Sequence, residues 1–207
     1  MASNSNRLPL RLLEVIRTLF YTPIYVSVAG GFLEKEGLDV DFKTCPPEFG
    51  HPINALNIGE TDIVQSGIMR CIIASDWGAA TVPKHFAEVN SRDGFFVISR
   101  SKQDPFQWES LKGAKLIPVD FSPMPWASLQ TALRRHNIDP AEINLVTGLN
   151  ITDAMTAFRA GEAEYIHVPQ PWAEQLLEDG SGHVVIAVGP ENGHAVAYTH
   201  LRAHETK

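Results

Sequence analysis

The sequence predicts an α/β fold of two lobes, each a mostly parallel sheet flanked by helices. Two observations predict it. Short strands alternate with helical stretches of about ten to fifteen residues, which is the signature of βαβ units and a parallel sheet. The alternation then occurs twice, over Leu10–Val89 and over Lys115–Val188, with no short sequence repeat accompanying it.

The first unit of the pattern runs from Leu10 to Cys45. Leu10 to Ile16 reads as a buried strand and Tyr25 to Glu36 as an amphipathic helix stopped by Gly37. Leu38-Asp39-Val40-Asp41-Phe42 alternates apolar and charged residues with period two, as a half-covered strand does. Strand, helix and strand in this order form a βαβ unit with a right-handed crossover. Its strand-to-helix connection lies where ligands bind in open α/β sheets. Thr22 followed by Pro23 reads as an N-cap with proline at N1, aiming unpaired N–H groups at whatever sits before Tyr21 and Thr22.

Beyond it, Thr44 to Gly50 is a loop by its proline and glycine content, and a short helix from Pro52 to Ile58 ends at Gly59. Asp62 to Gln65 reads as a brief strand, and Ser66-Gly67 opens a helix reaching Trp77. Val82–Val89 and Phe95–Ile98 read as strands separated by the polar turn Asn90 to Gly94. In the second half, Trp108 to Gly113 is a short helix, Lys115–Val119 a strand, and Pro123–His136 a helix striped by Trp126, Leu129, Ala132 and Leu133. Ile143–Val146, Ala163–Val168 and Val184–Val188 read as strands; Ala154–Ala160 and Pro169–Glu178 read as helices.

Composition narrows the function classes. A formal charge of −7, with basic residues scattered singly apart from Arg134-Arg135, disfavours nucleic acid as a partner. No apolar run approaches the ~20 residues of a membrane span. The opening MASNSNRLPL lacks the basic and apolar regions of a secretory signal, so the chain as given is expected to be cytoplasmic. With only Cys45 and Cys71, a metal or redox motif is not expected, and two buried free thiols are the better reading than a disulfide.

Polar or small residues recur at strand-to-helix junctions: Tyr21-Thr22, Gln65-Ser66-Gly67, Phe121-Ser122, Asn150-Ile151-Thr152 and Gln170. Singly, Thr22, Ser66, Ser122 and Thr152 read as ordinary helix caps. As a set at equivalent ends of two lobes, they describe a cleft whose backbone amides meet a ligand. Tyr21, Tyr25, Trp126 and Trp172 are candidate aromatic walls, although Trp126 also fits a core stripe. Asp93 beside Arg92 is either a clamp for a zwitterion or a turn. No G-x-S-x-G elbow, phosphate-binding loop or zinc-type histidine pair is present; His85, His136, His167 and His183 are dispersed and read as structural or exposed.

Phe20-Tyr21-Thr22-Pro23-Ile24-Tyr25-Val26, followed by Gly31-Phe32-Leu33-Glu34-Lys35-Glu36-Gly37-Leu38-Asp39-Val40, resembles the opening of ABC-transporter substrate-binding proteins. The group binds nitrate, sulfonates, taurine and pyrimidine precursors, and includes the thiamine-pyrimidine synthases. Gly59-Glu60-Thr61-Asp62, Ser110 to Lys115 and Ala157 to Ala163 are similar to further motifs of that group, and the likeness extends from Leu10 to about Ala197.

The resemblance implies a type II periplasmic-binding-protein fold closing on a small ligand by a hinge. Residues 8–94 would form lobe one, 95–190 lobe two opened by the hinge strand Phe95–Ser99, and 191–197 a return strand centred on Ala195–Tyr198. It implies a monomer that captures a small polar or anionic organic ligand for an ABC permease, with no cofactor, and a usually periplasmic location, which stands against the cytoplasmic reading of the chain as given. The ligand would contact Tyr21, Thr22, Tyr25, Gln65, Ser66, Gly67, Asn90, Ser122, Asn150, Thr152 and Gln170. The alternative is a cytosolic enzyme of the thiamine-pyrimidine-synthase type. Against it, the positions of that enzyme's cofactor-bearing lysine and consumed histidine fall on Ser66 and Arg70, which leaves no amine for a Schiff base. Residues 198–207, from Tyr198 in YTHLRAHETK, show neither helical nor strand periodicity and resemble a translated adapter, so they are expected to be a non-native tail.

Overall fold

The computed structural model describes residues 7–120 and 122–192, with the backbone of 198–202. The described chain divides after Ser91 into two compact units. The first takes in the residues up to Ser91 together with Tyr198–Arg202, and the second begins at Arg92. Among the described residues, no helix is long and apolar enough to cross a membrane.

The first unit opens with β1 (Leu8–Glu14), whose last three residues are buried. A 3-10 turn at Leu19–Tyr21 leads into α1 (Thr22–Ala29). The single helix expected over Tyr25–Glu36 is broken by the pair Gly30-Gly31. Gly31 takes the left-handed φ of +68°, which an L side chain resists, and α2 (Phe32–Lys35) starts afresh after it. Next come β2 (Leu38–Thr44), α3 (Pro52–Asn57), β3 (Ile63–Ser66), α4 (Ile68–Asp76) and β4 (Lys84–Asn90). β1 pairs in parallel with β2, Leu8 to Glu14 against Leu38 to Thr44, and with β3 through Leu12 and Leu13. Tyr198–Arg202 forms a strand inserted antiparallel between β3 and β4, so this sheet has the order β2, β1, β3, Tyr198–Arg202, β4. The stretch read as lacking strand periodicity is therefore a strand in its backbone. Leu13 and Val64 of the sheet pack on Ala55 and Leu56 of α3 and Cys71 of α4.

The second unit runs β5 (Phe95–Ser99), β6 (Lys115–Ile117), α5 (Pro123–Arg135), β7 (Asn144–Leu145), α6 (Ile151–Ala160), β8 (Tyr165–Pro169), α7 (Trp172–Glu178), β9 (His183–Ala187) and α8 (Val188–Asn192). Its sheet has the order β7, β6, β8, β5, β9; β6 is parallel to β7 and β8, while β5 runs antiparallel to β8 and β9. Period-two alternation sorts neighbouring residues onto two faces. Val97, Leu116 and Tyr165 meet Leu129 and Leu133 of α5, whereas Ile98, Ile117 and Ile166 meet Phe158 of α6 and Leu176 of α7. Trp126 and Trp172 pack partly buried against these two cores.

Of the return strand expected over 191–197, Glu191 and Asn192 are helical in α8; residues 193–197 lie outside the described residues, as does Phe121. α8 packs so closely on the start of β5 that a Cβ on Gly189 would sit 2.1 Å from the Asp93 carbonyl oxygen. Glycine is required there by the close approach rather than by its φ. Substituting Gly189 by alanine forces one backbone away from the other and is expected to cost about 1–3 kcal/mol. Phe158→Ala empties a fully buried site and is expected to cost about 3–5 kcal/mol. Urea denaturation checks both, through lowered midpoints at an unchanged slope.

Candidate functional site

The carboxyl end of β1 carries a charge with no access to water. Glu14 is fully buried, and its carboxylate is satisfied from three elements. Its Oε2 accepts the Tyr25 hydroxyl of α1 at 2.7 Å. Its Oε1 accepts Arg17 Nε at 2.8 Å and the Thr44 hydroxyl of β2 at 2.7 Å. The Arg17 guanidinium also lies 5.2 Å from the Tyr25 ring centroid and 5.3 Å from that of Phe42. Tyr25 accepts the Thr18 N–H at 3.0 Å as well, so its hydroxyl is fully engaged inside the protein. Burial first, then the Glu14 hydrogen bond, push the Tyr25 hydroxyl up to about 12.

Thr22 is not the cap of α1. Tyr21 holds that position, Thr22 is already helical, and its hydroxyl donates to the Leu19 carbonyl at 2.7 Å. The 3-10 turn shifts the start of the helix by one residue, placing Pro23 second in the helix. Tyr21 itself is buried; desolvation pushes its hydroxyl well above the ordinary range, and the Gln65 side chain acts in the opposite direction. Asn90, at the end of β4, donates from Nδ2 to the Phe20 carbonyl at 2.8 Å and so holds the same turn.

Gln65, Ser66 and Gly67 stand at the end of β3. Gln65 Oε1 accepts the Val15 N–H at 3.3 Å, but Gln65 Nε2 and Ser66 Oγ are buried with no hydrogen-bond partner among the described residues. Ser66 is not a cap either: Gly67 occupies the N-cap of α4 and offers no side chain to it. Orphaned buried polar atoms cost about 1–3 kcal/mol each, so they need a reason.

In the second unit, Asn150 caps α6, accepting Asp153 N–H at 3.0 Å and donating to the Asp153 carboxylate at 2.6 Å. Thr152 is exposed in the first turn of that helix. Ser122 holds the N-cap position of α5 without a side-chain cap bond. Gln170 Oε1 accepts the Glu174 N–H at 3.1 Å. Asp93 turns inward and accepts the Phe95 N–H at 2.7 Å, so the zwitterion clamp considered with Arg92 is, on the Asp93 side, a turn. Burial raises the Asp93 carboxyl above its ordinary range, against the Ser128 and Phe95 hydrogen bonds. The structure thus gathers Tyr21, Gln65, Ser66 and Gly67 at one sheet edge of the first unit, while Thr22, Tyr25, Asn90 and Asn150 spend hydrogen bonds on the fold.

Residues 20–196 match the NMT1/THI5-like family. The chain belongs to that family. It is 32% identical over 197 residues to YtlA of Bacillus subtilis (strain 168), named as a candidate binding protein, covering 95% of this chain and 58% of YtlA. Its fold is similar to the periplasmic aliphatic sulphonate binding protein SsuA of Escherichia coli, with a TM-score of 0.74 at 21% identity over 94% of this chain and 65% of that one. It is also similar to the Candida albicans CA3427 product, described as having the generic periplasmic binding protein fold, with a TM-score of 0.68 at 15% identity, covering 95% of this chain and 63% of that one. The chain therefore spans under two thirds of the length of these relatives, and the NMT1/THI5-like family is built here on the periplasmic-binding-protein fold.

Sequence reasoning did not single out Glu14 or His51. The signal for Glu14 was one acid closing an apolar run, Leu12-Leu13-Glu14. For His51 it was a polar residue ahead of Pro52, where caps occur. His167 on β8, read as structural or exposed, is fully buried against Phe95, with both ring nitrogens unpartnered among the described residues. No group of His, Cys, Asp and Glu suited to a metal occurs among the described residues.

Burial drops the His167 pKa from 6.5 to about 3, and burial followed by Arg70's charge drops that of His51 to about 4. Both folded values lie below the unfolded one, so the unfolded chain takes up these protons first. Their contribution is complete above about pH 6.5 and is lost as the pH falls toward the folded values, for His167 at about 1.4 kcal/mol per pH unit. Urea midpoints measured from pH 7 to pH 4 are expected to fall, and His167→Leu is expected to flatten that slope. Glu14→Gln is expected to lower stability by about 1–3 kcal/mol in the same assay. That is less than for a wholly buried pair, because Arg17 is 61% exposed and rehydrates.

Proposed function

We propose that this chain is a substrate-binding protein that captures a small polar or anionic organic solute, as a monomer, for an ABC permease. One observation carries the reading: Gln65 Nε2 and Ser66 Oγ are buried with no hydrogen-bond partner among the described residues at the carboxyl end of β3, where parallel sheets present ligand sites. Tyr21 and the backbone of Gly67 stand with them, and in the second unit Ser122 and Gln170 occupy the equivalent ends of their strands. The family membership supports the reading. So do the names of similar proteins: SsuA of Escherichia coli binds aliphatic sulphonates, and SsuA of Xanthomonas axonopodis pv. citri was solved bound to MOPS, itself a sulfonate.

Thermal unfolding and titration calorimetry against sulfonates, carboxylates and pyrimidines test it. A solute present at a hundred times its Kd adds about 2.7 kcal/mol of stability and raises Tm by several degrees. Ser66→Ala removes an orphaned hydroxyl, so the unliganded protein is expected to stay as stable or gain slightly, while solute affinity falls about tenfold. Absence of any shift across the panel overturns the reading.

A further inference from the structure

The chain enters the second unit at Arg92 and leaves it beyond α8, since the next described residues, Tyr198–Arg202, belong to the first unit. What holds the residues on each side of the entry decides where the chain can bend. Ser91 and Arg92 are exposed, and no hydrogen bond ties either of them to another described residue. Their neighbours on both sides are tied.

Before them, Asn90 ends β4 and spends its side-chain amide on the Phe20 carbonyl at 2.8 Å. That carbonyl belongs to the 3-10 turn ending at Tyr21, whose own N–H is held by the Thr18 carbonyl at 3.1 Å. After them, Asp93 is buried and accepts the N–H of Phe95, the first residue of β5, at 2.7 Å. The Asp93 carboxylate also takes the Ser128 hydroxyl of α5. From α8, Asn192 Nδ2 donates to that same hydroxyl at 2.8 Å and to the Ser128 carbonyl at 2.7 Å. A serine hydroxyl holds one proton and two lone pairs, so it donates to one partner while accepting from another. Ser128 thereby joins the entering segment to the leaving one. The close approach of Gly189 to the Asp93 carbonyl adds a backbone contact between the same two segments. α8 is fastened to α5 a second time, because the Glu191 carbonyl accepts Arg135 Nη1 at 2.6 Å and its carboxylate meets His136 Nε2 at 2.9 Å.

We propose that Ser91 and Arg92 form a two-residue pivot, clamped in the first unit by Asn90 on the Phe20 carbonyl and in the second by Asp93, which Ser128 binds to α8 as one rigid mount. β5, expected from the resemblance to be the hinge strand, pairs along both of its edges, with β8 and with β9. Hinges fall on a few loop or terminal residues that absorb backbone rotation, which a strand bonded on both sides resists. On the entering chain the bending therefore stops before Asp93. Asn90 is a positioning residue in this device. It reaches the turn that delivers Tyr21 to Gln65 through one carbonyl, so a shift of that turn is felt at the pivot. The inference goes beyond solute capture and holds with no solute present.

Backbone amide relaxation and hydrogen exchange on the full chain, without solute, test it. Order parameters are expected to dip below about 0.6 at Ser91 and Arg92 and to stay near about 0.85 from Phe95 through Ser99. Ser128→Ala cuts the bond between the two segments, so the Phe95 N–H and the α8 amides are expected to exchange about five- to tenfold faster together, with β6 and β8 unchanged. Asn90→Ala is expected to extend the mobility backward, speeding exchange at the Tyr21 N–H and leaving Phe95 as it was. The unsubstituted chain supplies the first reading, so the pivot is judged even where a variant does not fold. A profile with no dip at Ser91 and Arg92, or a dip that runs on through β5, overturns the inference. So does a Ser128 variant that loosens one segment alone or every strand alike. None of these results touches solute capture, which the calorimetric panel decides separately.

Discussion

A carboxylate sealed from water at the end of β1 governs the first unit. An unpaired buried charge costs several kcal/mol, so Glu14 is tolerable only where β2, α1 and the intervening loop all reach it. Thr44, Tyr25 and Arg17 do so at hydrogen-bond distance. The consequence is positional: with Tyr25 held by Glu14 and Thr18, the 3-10 turn before α1 has little freedom, and Tyr21 is delivered beside Gln65. The charge thereby orders a sheet edge that it does not itself occupy. A neutral residue at that place would remove the desolvation cost and, with it, the reason for three elements to converge there.

The two units handle buried polarity differently. In the second, Asn150 satisfies its own helix, and Ser128 is engaged by Asn192 from α8 through both its backbone oxygen and its hydroxyl. His167, whose ring nitrogens have no partner among the described residues, and the Oδ1 of Asn192 are exceptions. In the first unit Gln65 and Ser66 carry buried atoms without a partner among the described residues side by side at the end of β3. Scattered orphans read as tolerated defects; orphans collected at strand ends read as groups awaiting an outside partner.

The alternation of strands and helices was legible because it rests on local periodicity, and both sheets follow from it. What was not legible depended on contacts distant in sequence. Thr22-Pro23 carried every local mark of a helix start, but a 3-10 turn held by Asn90, seventy residues away, moves the cap to Tyr21. Gly30-Gly31 was a readable break, overlooked because the apolar spacing continues through it. β5 and Tyr198–Arg202 run antiparallel, and nothing in an isolated strand's pattern states its direction. Tyr25 and Asn150 were read as ligand contacts, yet whether such a group faces a ligand or serves the fold depends on partners that sequence order does not reveal.

Those partners also explain why membership of the family leaves the solute open. Likeness to SsuA at 21% identity conserves where the strands end and leaves open which side chains stand there. The backbone supplies a generic edge of N–H groups suited to polar solutes of many kinds. Selectivity must then come from the few side chains whose donors the fold has not consumed, because an unfilled buried donor penalises every solute lacking a matching acceptor. Here the fold uses the Nδ1 of His51 and the Oε1 of Gln65, and the Nε2 of each has no hydrogen-bond partner among the described residues, so under the proposed reading these are donors that a solute would have to match.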